Sequence, residues 1–133
     1  MSGKLRHKAR RAAAAVELAV VTPVLLTMLF GIIEFGWMFT VRQALVTATR
    51  EGARTAVLPG STVSDVESRI TEYLQPFGLN GYTTEVSTSG TGEPDGVVTV
   101  SIPYSSVTLV SGYFGGLDGA LVATCSMRKE LVE

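Results

Sequence analysis

The chain has 133 residues, 46% apolar and 17% charged, which allows one compact domain at most. A single cysteine, Cys125, and a single histidine, His7, exclude an intrachain disulfide framework, a Cys-rich zinc site and most nucleophile-base chemistries. The formal charge of −1 conceals a division: Lys4, Arg6, Lys8, Arg10 and Arg11 open the chain without an acid among them, while from Ala13 onward six basic residues face twelve acidic ones. A short basic head before an acidic body is a topogenic arrangement, whereas a nucleic-acid interface needs basic residues that persist into the folded part.

The apolar stretch comes first. Residues 18–33 carry no charge, and past Glu34 the apolar run resumes to Val41. At 1.5 Å per residue, a helix over 18–41 is about 36 Å long, enough for a hydrocarbon core of about 30 Å. Its thirteen Val, Leu, Ile and Phe residues contribute about −4 to −8 kcal/mol to insertion, against about +3 kcal/mol for a central acid and less for the off-centre Glu34. Insertion wins, and Pro23 is tolerated in such a helix. Basic residues in the head outnumber those just past the span, where Glu51 partly offsets Arg42, Arg50 and Arg54. The expected topology is therefore single-pass in the cytoplasmic (inner) membrane, amino terminus inside and acidic body outside. A cleaved secretory signal is the competing reading, but the small residues 12–15 precede the apolar core instead of following it. Arg10-Arg11 lacks the context of a twin-arginine signal.

The helical pattern continues through residues 42–58 and stops at Pro59-Gly60. Within it Thr40, Ala44, Ala48, Gly52 and Ala56 recur every four residues, a ridge of small side chains that admits close approach of a partner helix or of the chain's own sheet. Gly52 carries the argument, because glycine costs about 1 kcal/mol relative to alanine inside a helix. A second helix begins at Ser64, with Glu67 completing a capping box, and presents Val66, Ile70, Tyr73, Leu74 and Phe77 on one face and Asp65 and Glu72 on the other. Residues 82–87 and 97–104 read as two strands of a hairpin, the second alternating Val98, Val100, Ile102 and Tyr104 with Thr99 and Ser101, and joined to the first by a Glu93-Pro94-Asp95-Gly96 turn. Pro103 marks a strand end or an edge. After a glycine-rich stretch over residues 112–119, residues 121–128 form a third strand with Leu121, Ala123, Cys125 and Met127 toward the core. About 70 residues after Pro59 is little for an independent core, so the sheet leans on the first helix. The fold class is α+β: a long amino-terminal transmembrane and stalk helix with a small carboxyl-terminal antiparallel-sheet head.

Two acids stand in the apolar helix. Glu17 lies near its inner edge, as an interfacial acid or as the partner of a cation on a neighbouring chain. Glu34 has no basic residue three or four positions away, and its apolar surroundings favour a partner-chain contact or a protonated state unless it reaches the hydrated outer interface. Elsewhere, Cys125 reads as a core thiol or, in an oxidising compartment, an intermolecular disulfide. Glu93 and Asp95 lack a full calcium-ligand spacing, Gly115 and Gly116 lack the residues of a phosphate cradle, and His7 belongs to the basic head. No Ser/His/Asp, Cys/His or metal constellation exists, so neither an enzyme, a cofactor, a small-molecule substrate nor a nucleic-acid partner is expected.

Several motifs together have a familiar form: Arg11-Ala12-Ala13-Ala14-Ala15-Val16-Glu17-Leu18-Ala19-Val20, then Pro23, Phe30-Gly31-Ile32-Ile33-Glu34-Phe35-Gly36, Val41-Arg42-Gln43-Ala44 and Arg50-Glu51-Gly52-Ala53-Arg54. Over about residues 11–57 the chain resembles the TadE-like pilus-assembly proteins, minor pseudopilins of the tight-adherence (Flp-type) branch of type IV pili. The carboxyl half is similar more loosely, through Ile102-Pro103-Tyr104 and Met127-Arg128-Lys129-Glu130. The resemblance implies a pilin-like fold and three parts: a leader over 1–12, a transmembrane and stalk helix over 13–58 and a head over 59–133. It also implies that a prepilin peptidase cuts between Ala12 and Ala13, leaving Glu17 as the fifth mature residue. Ala12 stands where the family has glycine, and Leu18 where an aromatic often follows the glutamate; alanine is small enough for a restrictive pocket. The implied partners are the membrane, the prepilin peptidase, other pilins or pseudopilins and the pilus assembly platform. Glu17 and Glu34 are then assembly residues. The remaining alternative is an uncut single-pass protein with a small extracytoplasmic binding head.

Overall fold

A computed structural model describes residues 2–88, 95–110 and 118–128. The Glu93-Pro94 turn, the glycines Gly112, Gly115 and Gly116, the Lys129-Glu130 end and the side chain of His7 lie outside the described residues. The elements follow in the order α1 (Ser2–Ala56), α2 (Val63–Leu74), a 3₁₀ turn (Gln75–Phe77), β1 (Thr83–Thr88), β2 (Asp95–Pro103), a 3₁₀ turn (Tyr104–Ser106) and β3 (Ala120–Arg128). The chain forms two compact units, Met1–Phe35 and Gly36–Glu133. The sequence boundary at 58/59 follows the end of α1. The packing boundary falls inside that helix, because Val41, Ala44, Leu45, Ala48 and Ala53 belong to the core of the second unit.

In the amino-terminal unit α1 is helical throughout, with Pro23 inside it. The hydroxyls of Thr22 and Thr27 donate to the carbonyls four residues back, Leu18 (2.6 Å) and Pro23 (2.8 Å). Each is thereby satisfied within its own helix, as an apolar surround requires.

In the carboxyl-terminal unit the sheet is antiparallel with strand order β1-β2-β3. Central β2 buries Val98, Val100 and Ile102 completely, as alternation along a half-buried strand dictates, and pairs them with Cys125, Ala123 and Leu121. On the opposite face the hydroxyls of Thr99 and Thr124 meet at 3.1 Å. β2 ends at Pro103, which has no N–H to continue the ladder. Tyr104, expected as the last strand residue, instead opens the 3₁₀ turn. Cys125 is a free, half-buried thiol packed against the core; β3 is an edge strand, so its core-facing side chains Leu121, Cys125 and Met127 are only partly covered.

α2 buries Val66, Ile70 and Leu74, while Tyr73 is 36% exposed and Phe77 half-buried. Its cap differs from the expected Ser64 and Glu67. Thr62 is the N-cap, its hydroxyl accepting from the Asp65 amide at 3.3 Å, while the Asp65 carboxylate accepts from the Thr62 amide (2.8 Å) and hydroxyl (2.7 Å). Two overlapping cap signatures stand two residues apart, and the earlier one wins because it starts the helix at Val63 and leaves fewer backbone donors unpaired. Gly78 closes the following 3₁₀ turn at φ +66°, a left-handed conformation that favours glycine.

These bonds hold the Asp65 carboxyl below its ordinary pKa, chiefly through the Thr62 hydroxyl and then the Thr62 amide. A folded-state pKa below the unfolded one gives stability that is complete above the unfolded value and is lost as pH falls through the folded value. Thr62→Ala is expected to cost about 1 kcal/mol. Asp65→Asn is expected to flatten the acid side of the pH–stability curve relative to wild type. Thermal unfolding of the micelle-solubilised chain across acidic pH reads both.

Candidate membrane and assembly segment

α1 is long and apolar enough to cross a membrane, and none of its most apolar stretch is covered by the chain itself. Val16 is 65% exposed and Phe35 75%, with Leu18, Val20, Leu25, Met28 and Ile32 similarly bare. An apolar surface this continuous marks a membrane or protein contact, and its length, composition and position at the amino terminus read as a single-pass membrane anchor.

Ala12, Ala13 and Glu17 are all exposed on helical backbone. Ala13 and Glu17 are four residues apart, hence on one face and about 6 Å apart along the axis. Glu34 is different: it is 7% exposed and takes part in an interaction within the chain. Its shielding does not wait for a second subunit, and the structure does not bring it together with Glu17, seventeen residues away on the helix.

The small-residue ridge lies in the carboxyl-terminal unit. Ala44, Ala48 and Gly52 are buried and Ala56 half-buried, while Thr40 is exposed. A Cβ added at Gly52 would meet Ile70 Cδ1 at 2.9 Å, Ile70 Cγ1 at 3.0 Å and Val66 Cγ1 at 3.4 Å, and one added at Gly96 would meet Ala56 Cβ at 3.1 Å. The ridge is therefore occupied by the chain's own α2 and β2. The only other buried polar side chain among those described, Thr49, turns its hydroxyl back to the carbonyls of Leu45 (3.0 Å) and Val46 (2.9 Å).

One residue that pattern reading missed is Trp37, whose indole Nε1 donates to the Val107 carbonyl at 2.8 Å, across seventy residues of chain. The signal available was an indole near the carboxyl-terminal end of an apolar span, the usual place for an interfacial tryptophan; its partner left no mark in the sequence. Among the described residues no three His, Cys, Asp or Glu side chains come together in a way that would hold a metal ion.

Residues 12–54 match a family model described as TadE-like protein, so the segment that carries Ala12, Glu17, Glu34 and the ridge as far as Gly52 is TadE-like. No curated protein and no solved structure matches the chain.

Proposed function

We propose that this chain, TadE-like over residues 12–54, is a minor pseudopilin of tight-adherence pilus biogenesis. In this reading α1 holds it in the cytoplasmic membrane and a prepilin peptidase removes residues 1–12. The mature helix from Ala13 then assembles with other pilins or pseudopilins at the pilus assembly platform. The observation that carries the reading is the coincidence, on one helix, of the TadE-like segment, a largely bare apolar surface from Val16 to Ile33 and an exposed Ala12-Ala13 bond four residues before an exposed Glu17.

The chemistry follows from charge. Cleavage removes all five leader cations and creates one ammonium at Ala13. Beside it, on its own helix and on any neighbour that packs alongside, stands the Glu17 carboxylate. Such a pair at about 4 Å gains about 1 kcal/mol in water and about 4 kcal/mol at an effective dielectric near 20, so it strengthens as packed subunits exclude water. Glu34 takes part in an interaction inside the chain; in this reading both acids are assembly residues, and Glu17 is the one that meets the new ammonium. The protein works by assembling, without catalysis, cofactor or small-molecule substrate.

The orientation is tested by a reporter fused after Glu133. Activity of an export-dependent reporter and silence of a cytoplasmic one are expected. The reverse pattern would contradict the orientation and, with it, access of the leader to a cytoplasmic-side peptidase.

A further inference from the structure

The apolar run ends at Val41, followed by Arg42. A hydrocarbon core of about 30 Å uses about 20 helical residues. Residues 18–41 exceed that by about 6 Å, and sharing the excess between the two ends puts the outer hydrocarbon boundary near Phe39, which is 64% exposed. Trp37 lies about 3 Å inside that boundary along the axis, and helical side chains lean toward the amino terminus, which takes the indole no further out. The headgroup layer adds about 5 to 8 Å beyond the boundary.

The Trp37–Val107 hydrogen bond of 2.8 Å ties the loop after β2 to this depth. Val107 is buried, but Leu109, two residues on, is 58% exposed. Two residues of chain span at most about 7 Å, so even when directed straight outward Leu109 stays within the headgroup layer. We infer that residues 107–110 form a membrane-surface contact, with Leu109 inserted among the lipids of the outer leaflet that α1 crosses. The inference rests on α1 as a membrane anchor and holds whether or not the leader is cut. The far end of the sheet is distant from this loop: Gly96 abuts Ala56, nineteen helical residues or about 28 Å beyond Trp37, and Ser126 is paired with the neighbouring Val97.

The test uses the full chain in phosphatidylcholine vesicles, with Cys125→Ser and an environment-sensitive fluorophore on either Leu109→Cys or Ser126→Cys. Trp37, the only tryptophan, reports anchor depth independently. The expected result is a blue-shifted Leu109 label quenched by lipids brominated near the top of the acyl chain, a Ser126 label with water-like emission, and quenched Trp37 emission. Water-like emission at Leu109 with Trp37 quenched would overturn the loop contact and leave the anchor standing; loss of both signals would remove the anchor as well. A Leu109 blue shift that grows with protein-to-lipid ratio but ignores bromine would mean that a second copy covers the loop, which also overturns the inference.

Discussion

Gly52→Leu is expected to lower the unfolding temperature of the carboxyl-terminal unit by about 5 to 20 °C, because a Cβ alone at that position already meets Ile70 at 2.9 Å. Overpacking of this kind costs about 1 to 3 kcal/mol, and each kcal/mol moves the midpoint of a domain of this size by about 4 to 8 °C. Gly52→Ala is a finer probe. It gains about 1 kcal/mol of helix propensity and spends a similar amount pushing the buried Ile70 side chain, so a net change within about 1 kcal/mol is expected. Ile70→Val removes the Cδ1 atom that stands nearest, and the double variant is expected to be more stable than the sum of the single effects, a coupling characteristic of residues in contact. Gln43→Leu, on the exposed side of the helix, is expected to stay within about 0.5 kcal/mol. Circular dichroism melts of the micelle-solubilised chain measure all five. Equal melting of Gly52→Leu and Gln43→Leu would remove the close approach of α2 from the account.

The second large effect is on processing and assembly, which two substitutions are expected to separate. Ala12→Leu places a branched side chain at the proposed scissile position and is expected to abolish cleavage while leaving insertion intact, because the span and flanking charges that drive insertion are untouched. Glu17→Ala is expected to permit cleavage, since the small residues and the apolar run remain, and to reduce incorporation into the assembled fibre at least several-fold. In the proposed mechanism the carboxylate meets its ammonium partner only after the cut, and the loss of about 1 to 4 kcal/mol per contact recurs at every interface that uses it. Anti-tag blots of membrane and sheared-fibre fractions read both steps. Normal assembly of Glu17→Ala would contradict the electrostatic role.

Much of the head was legible because its signals are local. The alternation of Val98, Val100 and Ile102 with Thr99 and Ser101 fixes a half-buried strand, and Val66, Ile70 and Leu74 fix the buried face of α2. The cap slipped by two residues because Thr62/Asp65 and Ser64/Glu67 satisfy overlapping versions of one rule. Gly52 announced a close approach, since nothing else justifies glycine in mid-helix, but periodicity along one helix does not identify what approaches. Neighbours at i±3 and i±4 likewise say nothing of the burial of Glu34, and no local pattern links Trp37 to Val107. What the sequence withheld was the set of contacts between residues far apart in it. The cleavage site and the role of Glu17 belong to a different category, being read through a family likeness and not through packing.

The most direct measurement is the intact mass of the membrane-extracted chain after co-expression with an active matching prepilin peptidase. Loss of the first twelve residues, with Ala13 as the new amino terminus, is the result the account predicts. A chain that remains full length beside the active peptidase would contradict it, and would leave an uncut, membrane-anchored head as the better description.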